Sequence, residues 1–311
     1  MTMEELNNML FRGKCSNIGM KRMNEAGLLP VPEKVNEWKQ SFVGCFLVKN
    51  YKYYGIILKI KEIIGRVPRW KDFTKSNIRE IVNYYLNECA QSSARTYMAL
   101  IRLVLNDHDN KDDIPCKNFA DELSVKNTPS VPIYLTMDDI NRIDKYKPKN
   151  EREAVVRAQF LCACYTGARH SDILRMTNKN INGKYLTYVS QKTKRTATVE
   201  AKKGLSDLLV IAKKRTYSDY IFNDTIRDIC RKSGIKEQVR VFHAGEYKDG
   251  EKWQFVSSHT ARRSFASNLS ELGVPIRQIS LRMGHSNTIM TERYIVSPGG
   301  KLTEEAMTFF E

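Results

Sequence analysis

Residues 258–265 read Ser258-His259-Thr260-Ala261-Arg262-Arg263-Ser264-Phe265, and further on the chain reads Met283-Gly284-His285 before it reaches Tyr294. Ala261, Phe265, Leu269 and Leu272 recur at helical spacing, which predicts a helix opening at Ser258 with those four on its buried stripe. His259 and Arg262 stand three apart on another face of its first turn, where the helix dipole favours an anion. Two imidazoles and a guanidinium can hold and protonate a phosphodiester, and a phenol can attack it. Taken singly, each has a plainer reading: His259 and Arg262 as a capping or ion-paired couple, Tyr294 as a core side chain. Gly273-Val274-Pro275 separates a second helix, with Pro275 suited to its N1 position and Gly284 ending it.

Upstream, residues 151–166 form a strongly apolar helical run, and Gly167 in Thr166-Gly167-Ala168-Arg169 is a natural C′ residue. Thr136 and Asp139 predict a capping box ahead of it. The period then changes from helix to strand. Residues 185–190 and 196–199 alternate around Gln191-Lys192-Thr193-Lys194-Arg195, a β-hairpin with a basic tip. A shorter β pair is expected at 239–242 and 253–256, turning at Asp249-Gly250.

The first third of the chain is helical from 34 to 107. Trp38, Phe42, Cys45 and Phe46 suggest one helix. Tyr54, Ile57, Leu58 and Ile64 suggest a second, ended near Gly65. Ile78, Ile81, Val82, Tyr85 and Leu86 make a third, capped by Thr74 or Ser76, and Ser92 or Ser93 can cap a fourth. The exposed faces carry Lys49, Lys52, Arg66, Arg69, Lys71, Lys75, Arg79, Arg95 and Arg102, a density that favours a DNA-backbone surface over an ordinary solvated face. Residues 1–33 are an N-terminal extension of uncertain role, 108–134 a polar linker, 135–296 a mixed α/β domain and 297–311 a tail. The fold class is therefore mainly α with small β-hairpins.

Lys and Arg (51) outnumber Asp and Glu (35), for a net charge of +16, and 41% of the 311 residues are hydrophobic. That excess bears on partners, with nucleic acid ahead of a membrane surface, and leaves the fold open. No signal peptide or membrane-length apolar stretch is visible, and seven scattered cysteines suit a reducing, cytoplasmic compartment. Cys162 and Cys164 lie in an apolar helical run with a gap too short for zinc, so a buried structural role is expected.

The ordered set Thr166-Gly167-Ala168-Arg169-His170-Ser171-Asp172, Gln191-Lys192-Thr193, 258–265, Met283-Gly284-His285 and Tyr294 resembles the tyrosine recombinase (phage-type integrase) family. The likeness is strong over roughly 135–295 and looser over 34–107, where the helices would be a core-binding domain. Met283 stands where Leu is frequent. The resemblance implies DNA cutting and rejoining through a 3′-phosphotyrosyl link on Tyr294, with no metal, ATP or other cofactor. It implies Arg169, Arg262 and His285 on the phosphate oxygens, Lys192 as general acid for the departing 5′-oxygen and His259 assisting near the nucleophile. Asp172 would orient a cation or an imidazole. Arg263 reads as structural or as a phosphate contact, and Lys194, Arg195, Arg95 and Lys248 as contacts to the DNA backbone. The expected partner is double-stranded DNA held by a homotetramer on two sites, with accessory DNA-bending proteins, in the nucleoid of a bacterial or phage-borne mobile-element setting. The tail, with Leu302, Ala306, Phe309 and Phe310, would dock on its own chain or on a neighbouring protomer. A type IB topoisomerase-like enzyme shares the covalent tyrosine step. A non-catalytic DNA-binding regulator would not need an intact set. A two-metal nuclease would need clustered carboxylates, and only Asp172 lies near the motifs.

Overall fold

The structure, a computed structural model, describes residues 1–127, 132–243 and 246–296. The chain divides into two compact units, Met1–Pro129 and Ser130–Glu311, each built around its own hydrophobic core. No helix among the described residues is long and apolar enough to cross a membrane, and all seven cysteines are free thiols.

The first unit is helical throughout: α1 (Met3–Phe11), α2 (Asn17–Glu25), α3 (Val35–Gln40), α4 (Phe42–Asn50), α5 (Tyr54–Ile64), α6 (Lys75–Glu88), α7 (Gln91–Asp107) and α8 (Phe119–Glu122). Residues 1–33 are not an appendage. Leu6, Leu10, Phe11, Met20, Met23 and Leu28 enter the same core as Phe42, Phe46, Ile57 and Ile78. A linker from 108 is likewise corrected as far as 127, because Ile114, Cys116, Phe119 and Leu123 are buried in that core and the Cys116 N–H donates to the Phe73 carbonyl at 3.2 Å. Residues 128–131 of the expected linker, and the tail from 297, lie outside the described residues.

Two helix readings in this unit also change. The pattern over Trp38–Phe46 is split at Ser41, which is extended and caps α4 by accepting from the Gly44 N–H at 3.1 Å. Gly44 permits the sharp corner, since a Cβ there would lie 1.9 Å from the Trp38 carbonyl oxygen. α7 starts at Gln91 behind Ala90, so Ser92 and Ser93 fall inside its first turn instead of capping it. Thr74 does cap α6. Of the cations on this unit, Lys49 pairs with Asp107, Arg66 with Asp72, and both Lys75 and Arg79 with Glu122. Arg95 donates to Asn127 Oδ1 at 3.3 Å. Exposed pairs of this kind are worth little, so phosphates can displace them at small cost.

The second unit opens with α9 (Met137–Lys145), whose Thr136–Asp139 capping box forms as expected. α10 (Glu151–Thr166) follows. It is buried on almost every side because α9, α12, α13 and α14 all pack on it, as a helix apolar all round requires. Cys162 and Cys164 sit inside it, and burial pushes the Cys162 thiol up to about 12. Next come α11 (His170–Ile173) and an antiparallel sheet of β1 (Ile181–Asn182), β2 (Tyr185–Val189) and β3 (Thr196–Glu200). Strand alternation puts Leu186 opposite Val199 and Tyr188 opposite Ala197, all facing the core. After α12 (Leu205–Ala212) and α13 (Asp219–Lys232), β4 (Gln238–His243) pairs with β5 (Glu246–Glu251).

The expected second pair is therefore displaced. Asp249-Gly250 lies within β5, and 253–255 belongs to a short 3-10 turn. β5 is polar and largely exposed, so it carries no apolar alternation, whereas Trp253 and Phe255 draw the eye because they pack on the core. The unit closes with α14 (Ser258–Glu271), α15 (Ile276–Arg282) and α16 (Thr288–Glu292). Ala261 and Phe265 are buried and Leu269 packs on the core, but Leu272 has left the helix and is 74% exposed. Pro275 is the N-cap of α15, one residue before the N1 position expected for it.

Candidate active site

α14 and the end of α10 meet closely enough to exclude a side chain. Gly167 ends α10 at φ +65°, and a Cβ on it would lie 2.4 Å from Phe265 Cδ1. That contact brings the Gly167 carbonyl within reach of Arg262, which donates to it through one terminal nitrogen. The other terminal nitrogen donates to the Met283 carbonyl at 2.7 Å and to His285 Nε2 at 2.6 Å. Arg262 is 1% exposed. A guanidinium has five N–H donors, and three are spent on positioning. Its Nε is buried with no partner among the described residues.

Tyr294 completes the cluster. It follows α16 in a turn held by its N–H on the Thr291 carbonyl at 2.8 Å, and Ser267 of α14 bonds the backbone on both sides of Ile295. The half-buried ring stacks on His285 at 5.3 Å between centroids and lies 5.3 Å from the Arg262 guanidinium carbon. Arg262, His285 and Tyr294 therefore touch one another. Arg169 and His259 join Arg262 in lining a cleft of about 480 Å³, with His170, Tyr217 and Asp219 on its wall. Desolvation, then the charges of Arg263, Arg262 and Arg169, hold His259 below the usual histidine range, with Asp219 opposing.

His285 is 3% exposed, and burial followed by the Arg262 and Arg169 charges depresses its pKa to about 4. A guanidinium can only donate, so Nε2 accepts from it and the proton sits on Nδ1, which donates to Thr291 Oγ1 at 2.9 Å. An unfolded-state imidazole titrates near about 6.5. Between that value and about 4 the unfolded chain binds a proton that the folded chain refuses, so stability is lost as pH falls through this window. Urea midpoints measured from pH 7 to 5 should fall more steeply for the native chain than for His285→Gln. Equal slopes would remove His285 from the pH dependence.

The hairpin delivers the basic tip to the same region. Arg169, the N-cap of α11, donates to Ser190 Oγ at 2.9 Å, and Asp172 Oδ1 accepts the Gln191 N–H at 2.9 Å. Asp172 does hold a cation, but its partner is Arg175 at 2.9 Å. Neither Arg169 nor an imidazole is among its hydrogen-bond partners within the described residues. Lys192, Lys194 and Arg195 are exposed on the tip. Arg263 and Lys248 instead line a second pocket of about 440 Å³ with Arg227, Phe242 and Phe255, and His259 forms part of both walls. Arg95 belongs to the first unit.

Several residues of the site left no mark in the sequence. Thr291 fixes the His285 tautomer from the start of a short helix. Tyr188 sits beside Arg262, its phenol pushed up by burial against the opposing Arg262 charge. Tyr188 is 4% exposed, and Asp172 adds to the rise. Its alternation on β2 announced a buried residue, but nothing announced which group it would face.

Residues 134–298 match the model of the Phage integrase family. A tyrosine recombinase of Pseudothermotoga lettingae is 24% identical over 269 residues, covering 81% of this chain and 82% of that protein. Among solved structures, the XerH site-specific recombinase bound to a palindromic difH substrate is similar with a TM-score of 0.60 at 14% identity, over 99% of this chain and 94% of that one. A lambda integrase dimer bound to a COC′ core site gives 0.58 at 16% identity, over 82% and 90%.

Proposed function

This chain belongs to the phage integrase family and is a tyrosine-type site-specific recombinase acting on DNA, and we propose that Tyr294 is the nucleophile that opens and reseals the phosphodiester. The observation that carries this reading is the contact cluster in which the Tyr294 ring packs on both Arg262 and His285. Tyr188 is the other phenol beside Arg262, and burial keeps it from a duplex.

A free phenol ionises near about 10, so at neutral pH it needs its proton removed and its phosphate made electrophilic. The Tyr294 oxygen bonds to phosphorus, the P–O5′ bond breaks, and a 3′-phosphotyrosyl link remains. Arg169 and the uncommitted donors of Arg262 take the non-bridging oxygens, where negative charge accumulates. His285 joins them when a phosphate displaces its contact with Arg262 and supplies the charge that now discourages its protonation. His259 receives the phenol proton and Lys192 gives one to the leaving O5′. Asp172 supports the hairpin from below. Resealing by a 5′-hydroxyl of a partner duplex conserves the bond energy, so the cycle draws on neither ATP nor metal. Strand exchange requires four such chains on two double-stranded sites, with accessory DNA-bending proteins, in the nucleoid of a bacterial or phage setting.

A nicked suicide duplex tests this directly. In EDTA and without ATP it should trap a covalent protein–DNA adduct whose linked peptide maps to Tyr294. An adduct on Tyr188, or cleavage that appears only with a divalent metal, would overturn the assignment.

The second pocket extends the reading along the backbone. Arg227, Lys248 and Arg263 line it with no carboxylate among the lining residues, and Arg263 is depressed by burial. It suits a phosphate neighbouring the scissile one, because His259 separates the two cavities. Arg263→Gln should weaken DNA binding on every sequence alike and reduce the log–log salt slope by about one. An unchanged slope would take Arg263 off the DNA.

A further inference from the structure

Four consecutive residues of the hairpin tip are treated unequally. Ser190 accepts from Arg169, and the Gln191 N–H is held by Asp172. Thr193 Oγ1 donates to the Gly284 carbonyl at 3.1 Å. Lys192 lies between them, exposed, with no side-chain hydrogen bond or ion pair among the described residues. The tip is thus tethered on one side to the Arg169 segment and on the other to the turn that carries His285.

The Thr193 tether reaches further than one bond suggests. Gly284 is flanked by the two residues that grip Arg262: the Met283 carbonyl and the His285 ring both take its terminal nitrogen. Its own carbonyl takes Thr193. The turn also abuts the hairpin, since a Cβ on Gly284 would lie 3.5 Å from Ala197 Cβ and 3.9 Å from Ser190 Cβ. A displacement of the tip would be felt at Gly284, and Arg262 would resist it. We propose that Thr193 is a positioning residue that registers the Lys192 ammonium to the Arg262–His285 clamp, so that acid and clamp address the same phosphate. Asp172 supplies the opposite tether, and Lys192 is left free to reach the leaving oxygen.

This inference rests on the reading of Lys192 as the general acid, and the test separates the two. In cleavage the Tyr294 oxygen bonds to phosphorus, the P–O5′ bond breaks, and O5′ takes a proton from the Lys192 ammonium. Replacing O5′ by sulfur changes only the last demand. A thiol ionises near about 8.5, so a thiolate leaves without a proton, and whatever serves only to place Lys192 becomes dispensable. Thr193→Val keeps the β-branched shape and removes the donor.

Suicide duplexes with a bridging 5′-oxygen or 5′-sulfur should be cleaved in single turnover by the native chain, Thr193→Val, Thr193→Ser and Lys192→Ala. Thr193→Val should slow the oxygen substrate about 10- to 100-fold and leave the sulfur substrate within about twofold of native. Thr193→Ser should restore most of the oxygen rate, because serine keeps the donor. Thr193→Val that matches native on oxygen, or that is equally slow on oxygen and sulfur, overturns the positioning role while Lys192→Ala still shows sulfur rescue. Lys192→Ala without sulfur rescue overturns the general-acid reading, and the role of Thr193 falls with it.

Discussion

Tyr294→Phe should form no covalent adduct on a suicide duplex, with cleavage reduced on the order of 10⁴-fold or more, while folding and DNA binding persist. The structure separates these effects. The Tyr294 hydroxyl has no hydrogen-bond partner among the described residues, so phenylalanine leaves no buried group unpaired. The ring contacts are what hold the segment: the stack on His285, the approach of Arg262, and the backbone bonds to Thr291 and Ser267. All survive loss of one oxygen. The change in stability should therefore stay within about 0.5 kcal/mol, as for substitutions that break no named interaction. Gel shifts should match the native chain at every salt concentration, because no cation is altered. An adduct of equal yield from Tyr294→Phe would move the nucleophile elsewhere. Loss of binding together with cleavage would make Tyr294 a structural residue.

Arg262 should be intolerant even of lysine, for two reasons that different measurements resolve. Its terminal nitrogens satisfy the carbonyls of Gly167 and Met283 and orient His285, three partners in directions that only a planar fork can serve together. Lysine keeps the charge and can meet one of them well. Each carbonyl left buried and unpaired costs about 1–3 kcal/mol, so Arg262→Lys should lower the urea midpoint clearly and Arg262→Ala further still. Cleavage by folded Arg262→Lys, measured below its unfolding transition, should fall about 100- to 1,000-fold, the usual cost of one lost donor to transition-state charge. If the folded lysine variant cleaves within about tenfold of native, the fork is structural and the clamp lies with Arg169. The Arg262 charge is also one reason that His285 stays neutral. Removing it should let His285 titrate closer to the ordinary range, which an NMR pH titration of the ring would show.

Much of this was legible before any coordinates. The Thr136–Asp139 box and Gly167 mark helix ends because capping chemistry is local and leaves residue types behind. The hairpin of β2 and β3 declared itself because one of its faces is apolar and the other polar. Where that contrast was missing, the reading slipped: β5 is polar along its length, and the run at 253–255 was taken for a strand because it is apolar. Residues 1–33 looked ambiguous because glycines cut their pattern into helices too short to show a period. Burial against α4 and α5 is what makes them part of the core.

The order of motifs in the sequence determined the family, the residue types of the site and the elements that carry them. A period tells which side of a helix meets the core, and spacing tells which residues share a turn. Neither tells which polar group will meet which across the fold. Only the tertiary structure decided that Arg262 is buried and largely committed to its neighbours, that Asp172 serves Arg175 and the hairpin, and that Thr193 bonds the Gly284 carbonyl. Those partnerships join residues far apart in the chain, and they arise because packing α14 against α10 and the hairpin leaves each buried donor only a few acceptors within reach.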